Sequence, residues 1–299
     1  MRIGVEQLPP FQLVFIRTGI AAIGLTTVVY WRGKRLPTDW RSIGDLLFLG
    51  IINTVFPFAL ITWGETHIES GLASVLQATS ALFALVIAHF AFVDERITWR
   101  KVAGLGIGFL GVVVLASRST GEAATGSAPR MHFLGQMAIV ISSFCYAVGG
   151  VYGRKAMQNR LEPIVTAAGA MLVAAITTGA IAYSAPILGG AAPVALSAFT
   201  PRVLGAIVTL GFVNTFTAYL IFYSLIATLG AARTAMVTYV LPVVGLGLGA
   251  LFLGEQIDLR LLIGAILILG SIAIVNLKIV SLVNAVRVRT ASVPVPPRD

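Results

Sequence analysis

Charge is what this chain has least of. Only 11% of its 299 residues are Asp, Glu, Lys or Arg, 57% are hydrophobic, and the mean hydropathy is +0.92. A soluble domain carries about 25% charged residues, so these are too few to clothe a globule of this size. Cysteine is nearly absent as well: Cys145 is alone and lies in an apolar run, which excludes an internal disulfide and a cysteine metal cluster. The histidines His67, His89 and His132 are scattered, and no H-E-x-x-H, G-x-S-x-G or P-loop pattern occurs, so nothing calls for an enzyme, a metal or another cofactor. Carboxylates are expected only at the edges of the apolar runs, where Glu65, Glu69, Asp94, Glu95, Glu162, Glu255 and Asp258 lie. That removes the usual mark of a proton- or sodium-coupling site and favours recognition by neutral polar and aromatic groups. The formal charge of +9 does not argue for nucleic acid, because the basic residues gather in short clusters between apolar runs, as membrane proteins place them.

What the chain has in abundance is apolar length. Runs at Phe11–Trp31, Ile43–Trp63, Gly71–Phe92, Val102–Ser117, Phe133–Gly153, Pro163–Tyr183, Val203–Ser224, Ala231–Leu253 and Leu261–Leu277 predict nine spanning helices. Twenty residues at about 1.5 Å each cross a hydrocarbon layer of about 30 Å. Met1–Pro10 is neither a cleavable signal nor a span, since it has no apolar core. Basic residues set the orientation. If the loop carrying Arg32, Lys34, Arg35 and Arg41 is cytoplasmic, fifteen of the 21 Lys and Arg fall on that side and only Arg2, Arg118, Arg130, Arg202 and Arg260 opposite. The C-terminus is then inside and Met1 outside.

The chain also repeats itself. At a shift of 161, Leu49, Gly50, Asn53 and Thr54 fall on Leu210, Gly211, Asn214 and Thr215; after a one-residue slip, Phe92, Glu95, Ile97, Arg100 and Gly104 fall on Phe252, Glu255, Ile257, Arg260 and Gly264. The motif E-x-I-x-x-R-x-x-x-G thus occurs twice, each time between two apolar runs. The charge rule puts Glu95 in a cytoplasmic turn and Glu255 in an external one, so the repeat is inverted.

The run ending in Leu253-Gly254-Glu255, with Pro242 a dozen residues before the Glu and Gly264 after it, resembles the EamA-like domain of the drug/metabolite transporter superfamily. The resemblance extends from about Leu8 to Lys278. It implies two domains of five helices each in opposite orientations: an all-α polytopic membrane protein of two inverted EamA-like repeats, ten helices in the intact pattern. Residues 1–117 make the first repeat with four helices, 118–132 a linker, 133–278 the second repeat with five, and 279–299 a cytoplasmic tail, partly disordered. Ala81 stands where the second copy has Pro242, so the first copy has no proline with which to break that helix.

Function follows from the inversion. Two oppositely oriented bundles enclose a site near the midplane, and rocking one against the other opens it to each side in turn. The expectation is a transporter, in that family often an exporter, of small metabolites such as amino acids or drug-like compounds. It sits as a multi-pass protein in the plasma or inner membrane, with lipid and a small-molecule substrate as its partners and a homodimer left open. The alternative is a non-transporting structural or assembly protein, or an inactive truncated remnant.

Candidate substrate contacts are the polar and aromatic groups inside the runs. Asn53 and Asn214 occupy equivalent places in the two halves, as cavity groups or as helix–helix glue. Tyr146, Tyr219 and Tyr239 lie too deep for an interfacial belt, and Gln77 completes the set. Thr54 and Thr215 carry less weight because each can bond its own backbone. Tyr223 shares a face with Tyr219 but lies near enough to a helix end for the belt. Arg17 is read first as a side chain that snorkels to headgroups, and otherwise as a cavity or anion contact. Pro242 and Gly245 are hinge candidates, and Gly104-x-x-x-Gly108 and Gly245-x-x-x-Gly249 predict close packing within each bundle.

One helix is expected to be missing. Leu8-Pro9-Pro10 matches Leu161-Glu162-Pro163, yet nothing before it spans, whereas Phe133–Gly153 precedes the second copy. The expected consequence is a natural start about 25–30 residues upstream, a length set by one spanning helix. Polar groups such as Asn53 would then face hydrocarbon.

Overall fold

The computed structural model describes residues 8–93, 98–116, 128–188, 191–195, 199–230, 234, 240–253 and 257–276. These form helices throughout, in the order α1 (Pro10–Trp31), α2 (Trp40–Gly64), α3 (Ser70–Ala91), α4 (Trp99–Ala116), α5 (Ala128–Asn159), α6 (Pro163–Ser184), α7 (Pro201–Leu229), α8 (Val240–Leu253) and α9 (Leu259–Asn276). Six of them, α1, α2, α3, α5, α6 and α7, are long and apolar enough to cross a membrane. Their starts follow local chemistry. Pro10, Pro163 and Pro201 stand in first turns, where a missing N–H costs nothing. Asp39 and Thr200 accept the Ser42 and Val203 N–H groups as N-caps. The Ser42 bond holds the Asp39 carboxyl below its ordinary range, so its contribution to stability is present at neutral pH and is lost as acid titrates the folded form. Gly33 and Gly230 end α1 and α7 at φ 68° and 85°, where a side chain is strained.

The halves are interleaved. α1 packs along α6 and α4 along α9, while α3 meets α8, so repeat mates pair with each other. Gly50 of α2 lies against Val173 of α6, and its counterpart Gly211 of α7 lies against Ile20 of α1. Val173 and Ile20 also correspond, at the shift of 153 that puts Pro10 on Pro163, so the same contact is made twice across the pseudo-two-fold axis. Gly111 and Gly264 approach each other's carbonyls along the α4–α9 seam, and Gly108 lies on Ser271 of α9 and Leu82 of α3. Gly245 lies on Ser74 of α3. The close packing expected within each bundle is therefore mostly between bundles.

The two repeated glycines differ in what a side chain would meet. A Cβ at Gly50 would sit 2.5 Å from Val173 Cβ and 2.9 Å from the Ala170 carbonyl oxygen, whereas the three atoms nearest to one at Gly211 all belong to the Ile20 side chain, the first at 2.8 Å. Backbone cannot step aside as a side chain can. Gly50→Ala is expected to destabilise by about 1–3 kcal/mol and Gly211→Ala by less, as thermal unfolding in detergent will show.

Four expectations need correcting. Helix α5 begins at Ala128, so the last residues of the expected 118–132 linker are helical; 118–127 and the 279–299 tail lie outside the described residues. Asp45 is a carboxylate inside a span, buried in the second turn of α2. Helix α3 is broken without a proline: Ser70–Gln77 and Ser80–Ala91 are separate, with i to i−3 bonds from Ala78, Thr79, Ala81 and Leu82. Hydroxyls take over the freed carbonyls, Thr79 donating to Leu76 at 2.6 Å and Ser143 of α5 to Leu76 and Gln77 at 3.4 and 3.3 Å.

The fourth concerns exposure. Asn53 is fully buried, and Asn214 is the exposed one of the pair. The cause is that α5, which belongs to the second half, covers the middle of α2 in the first. The corresponding face of α7 has no such cover among the described residues. In its most apolar stretch 22% of α7 is buried, against 56% for α2, and Phe212, Val213 and Ile221 stand outward beside Asn214.

Candidate substrate site

Both copies of the Asn-Thr pair lie in π-helix. In α2 it covers Ile51–Val55 and in α7 Thr209–Thr217. Such a bulge frees carbonyls from the ordinary ladder and recurs at functional sites. Each bulge buries its threonine, Thr54 or Thr215, and the polar groups around the two lie in two hydrogen-bonded sets joined through the Phe58 ring into one buried network.

The Tyr219 hydroxyl donates to the Asn53 carbonyl oxygen at 3.0 Å. Its only hydrogen is thereby committed, so Thr54 is the donor in the 3.2 Å contact between Thr54 Oγ1 and that same hydroxyl. Asn53 Nδ2 donates to the Tyr223 hydroxyl at 3.2 Å, while Asn53 Oδ1 is buried with no hydrogen-bond partner among the described residues. Gly149 of α5 lies directly on the Asn53 side chain. Phe58, the repeat counterpart of Tyr219, meets it edge to face at 6.3 Å, and Tyr219 and Tyr223 lie 6.0 Å apart. Tyr146 packs against the apolar clusters on both sides of this network.

The charge of the network is Arg17. It lies about two turns into α1, ~10 Å from the helix start, and is 6% exposed, so it does not snorkel. Its Nε and Nη2 donate to Thr215 Oγ1 at 3.2 and 3.0 Å, while Thr215 spends its own hydrogen on the Leu210 carbonyl five residues back, at 2.7 Å. The guanidinium carbon stands 3.9 Å over the Phe58 ring. The Glu65 carboxylate, just past the end of α2, acts on it weakly as an opposite charge.

Of the expected site residues, the structure brings together Asn53, Tyr219 and Tyr146. Gln77 lies beside them at the α3 break, tied through its carbonyl to Ser143 one turn before Tyr146. Asn214 is turned outward, and Tyr239 lies outside the described residues. Pro242 is buried and Gly245 is packed on α3. Arg17, Thr54, Thr215 and Tyr223 belong to the network although their first readings put them elsewhere. Tyr223 is fully buried rather than in the belt. The available signal was an arginine with no acidic neighbour in sequence. Among the described residues no group of His, Cys, Asp and Glu is placed to hold a metal.

Two further contacts tie the halves together near the end of the bundle that carries the Arg32–Arg41 loop. Lys34 meets Glu162 at 2.7 Å. Asp45 receives the Tyr152 hydroxyl at 2.7 Å and lies 3.5 Å from Arg160. At the other end, the Gln12 amide exchanges two hydrogen bonds with the Val194 backbone at 2.6 and 2.8 Å.

With this geometry the chain compares as follows. The sequence profile described as the EamA-like transporter family matches residues 1–117 and 133–277. An uncharacterized transporter of Archaeoglobus fulgidus is 30% identical over 92% of this chain and 91% of its own length. An Escherichia coli protein named "Probable amino-acid metabolite efflux pump" is 26% identical over 92% of this chain and 88% of its own. A crystal structure at 22% identity superposes with a TM-score of 0.64 over 91% of this chain and 90% of the other, which shows the fold alone.

Proposed function

The chain belongs to the EamA-like transporter family and is a multi-pass membrane protein, and from that premise we propose that it exports small metabolites, amino acids or drug-like compounds among them, by alternating access. The observation that carries the proposal is the buried network at the paired π-helical segments. It draws Arg17, Asn53, Thr54 and Tyr146 from the first half or from the α5 helix that covers it, and Thr215, Tyr219 and Tyr223 from α7. Rocking one half on the other changes the surroundings of such a network more than those of any one-sided site. The ends are tied by contacts that can exchange with water: two ion pairs at one end, an amide-to-backbone clasp at the other.

In this reading Asn53, Gln77, Tyr146, Tyr219, Tyr239 and Arg17 touch substrate. Asn214 does so only when its side of α7 is covered. Pro242 and Gly245 let α8 bend. The repeats occupy residues 1–117 and 133–278, and the C-terminus is cytoplasmic, in agreement with the charge bias. Chemistry on the substrate is not part of the activity.

Flux through purified full-length protein in sealed vesicles tests this. Preloaded vesicles are expected to accumulate at least one labelled amino acid or drug-like cation by counterflow. Folded protein that moves no compound of a broad metabolite panel returns the chain to the structural or assembly reading.

A further inference from the structure

Arg17 is the one buried residue of the network that carries a full charge, and its hydrogen bonding is half complete. A guanidinium has five N–H donors arranged in two forks. The side fork, from Nε and Nη2, is spent on a neutral acceptor, Thr215 Oγ1. One face of the plane is covered by Phe58. The end-on fork, formed by Nη1 and the other hydrogen of Nη2, has no acceptor among the described residues, and Arg17 has no ion pair there. A buried cation whose opposite charge, Glu65, acts on it only weakly is expensive in a bilayer, and so are unmade donors in an apolar surround. Tyr146 and the rings of Phe58 and Tyr219 pack in one cluster beside it.

The geometry points to a carboxylate as the missing partner: Arg17 is the anion-selecting contact of the transport path, and its end-on fork receives one carboxylate of a monoanionic or zwitterionic metabolite through two parallel N–H···O bonds. This rests on the transport reading above. Planar end-on recognition fits two carboxylate oxygens, and one guanidinium balances one negative charge. A phosphate dianion asks for more cations than this network holds. The Thr215 and Phe58 contacts hold the guanidinium plane in place before the ligand arrives, which lowers the ordering cost of binding. The site also joins the halves, because the carboxylate would sit on α1 of the first half while Arg17 is braced by the π-segment of the second.

The test uses purified full-length protein and matched probes: benzoate with benzamide, leucine with leucinamide, and inorganic phosphate alone. Affinity is read from ligand-induced thermal shift and transport from counterflow in vesicles. The wild type is expected to prefer each carboxylate over its amide by about 10- to 100-fold, the range of hydrogen bonds to charged groups. Arg17→Gln should bring that ratio to about 1. Arg17→Lys keeps the charge and loses the fork, so it should retain a ratio of only a few-fold; it serves as the deciding variant if the glutamine form does not fold. The inference is overturned if the ratio persists in either variant, if phosphate binds better than the carboxylates, or if amides and amines are bound and moved while carboxylates are not. That last result leaves transport standing. A wild type that neither binds nor moves any compound overturns both readings.

Discussion

Replacing Asn53 with leucine is expected to stop transport and to leave the protein folded. Among the described residues Asn53 has one side-chain hydrogen bond, from Nδ2 to Tyr223, and an Oδ1 with none. That bond joins the halves and is lost in the variant, but a second one, from Tyr219, ends on the backbone carbonyl and survives any side-chain change. Leucine is close in size. It deprives the buried Tyr223 hydroxyl of a partner, at about 1–3 kcal/mol, and removes one unsatisfied buried acceptor that costs about as much, so the net change in stability is small and of either sign. Transport is another matter, because in the proposed reading the acceptor at the centre of the network is kept for a ligand donor. Loss of at least a hundredfold in counterflow with an unchanged melting temperature is the expected result. A collapse in thermal stability means that Asn53 is glue between helices and not a contact for substrate.

The largest effect on stability is expected at Gly149. A Cβ there would sit 2.5 Å from Asn53 Cβ and 2.7 Å from its Cγ, and both residues are fully buried in rigid helices. Valine at this position has to push α5 off the π-segment of α2, costing about 3 kcal/mol or more, the upper part of the overpacking range. The same change at Gly150, whose added Cβ meets nothing within 4 Å, is expected to cost below about 1 kcal/mol, since valine is also the better helix former. Gly149→Ala combined with Asn53→Ala removes Cγ and Oδ1 from the collision, so the pair should be less damaging than the sum of the two single changes. Additive single and double variants, measured by thermal unfolding, contradict the packing described here.

How much of this could be read from the sequence depends on what carried each feature. The all-helical class and the repeat order were legible because hydrocarbon demands about twenty apolar residues per crossing, and because Gly50 and Gly211, or Gly104 and Gly264, keep their place in both copies; of the nine expected spans, six are long and apolar enough to cross among the described residues. Asn53 and Tyr219 were legible for the same reason, since polar groups in apolar runs are costly and conspicuous. The break in α3 was not. Serine and threonine make it through hydroxyl-to-carbonyl bonds, one of them from Ser143 on another helix, and no local residue type announces that. The π-segments were hidden for a similar reason: one extra residue per turn leaves composition unchanged. Exposure of Asn214 in place of Asn53 follows from the interleaving, in which the helix covering one half is supplied by the other, and a one-dimensional repeat does not reveal which half covers which. Arg17 was visible as a residue but not as a member of the site, because its depth in α1 matches a snorkelling arginine and its partner Thr215 lies far away in sequence.

The most direct measurement of the account is access to the network from both sides. In a Cys145→Ala background, a single cysteine placed at Phe58, which lines the network against Tyr219 and under Arg17, is treated with a membrane-impermeant thiol reagent. The reagent is added either outside or inside sealed vesicles of one orientation. Alternating access predicts labelling from each side in separate experiments, with a control cysteine at Lys34 labelled from its own side only. Labelling of the Phe58 position from one side alone, under conditions where the protein is folded, contradicts it.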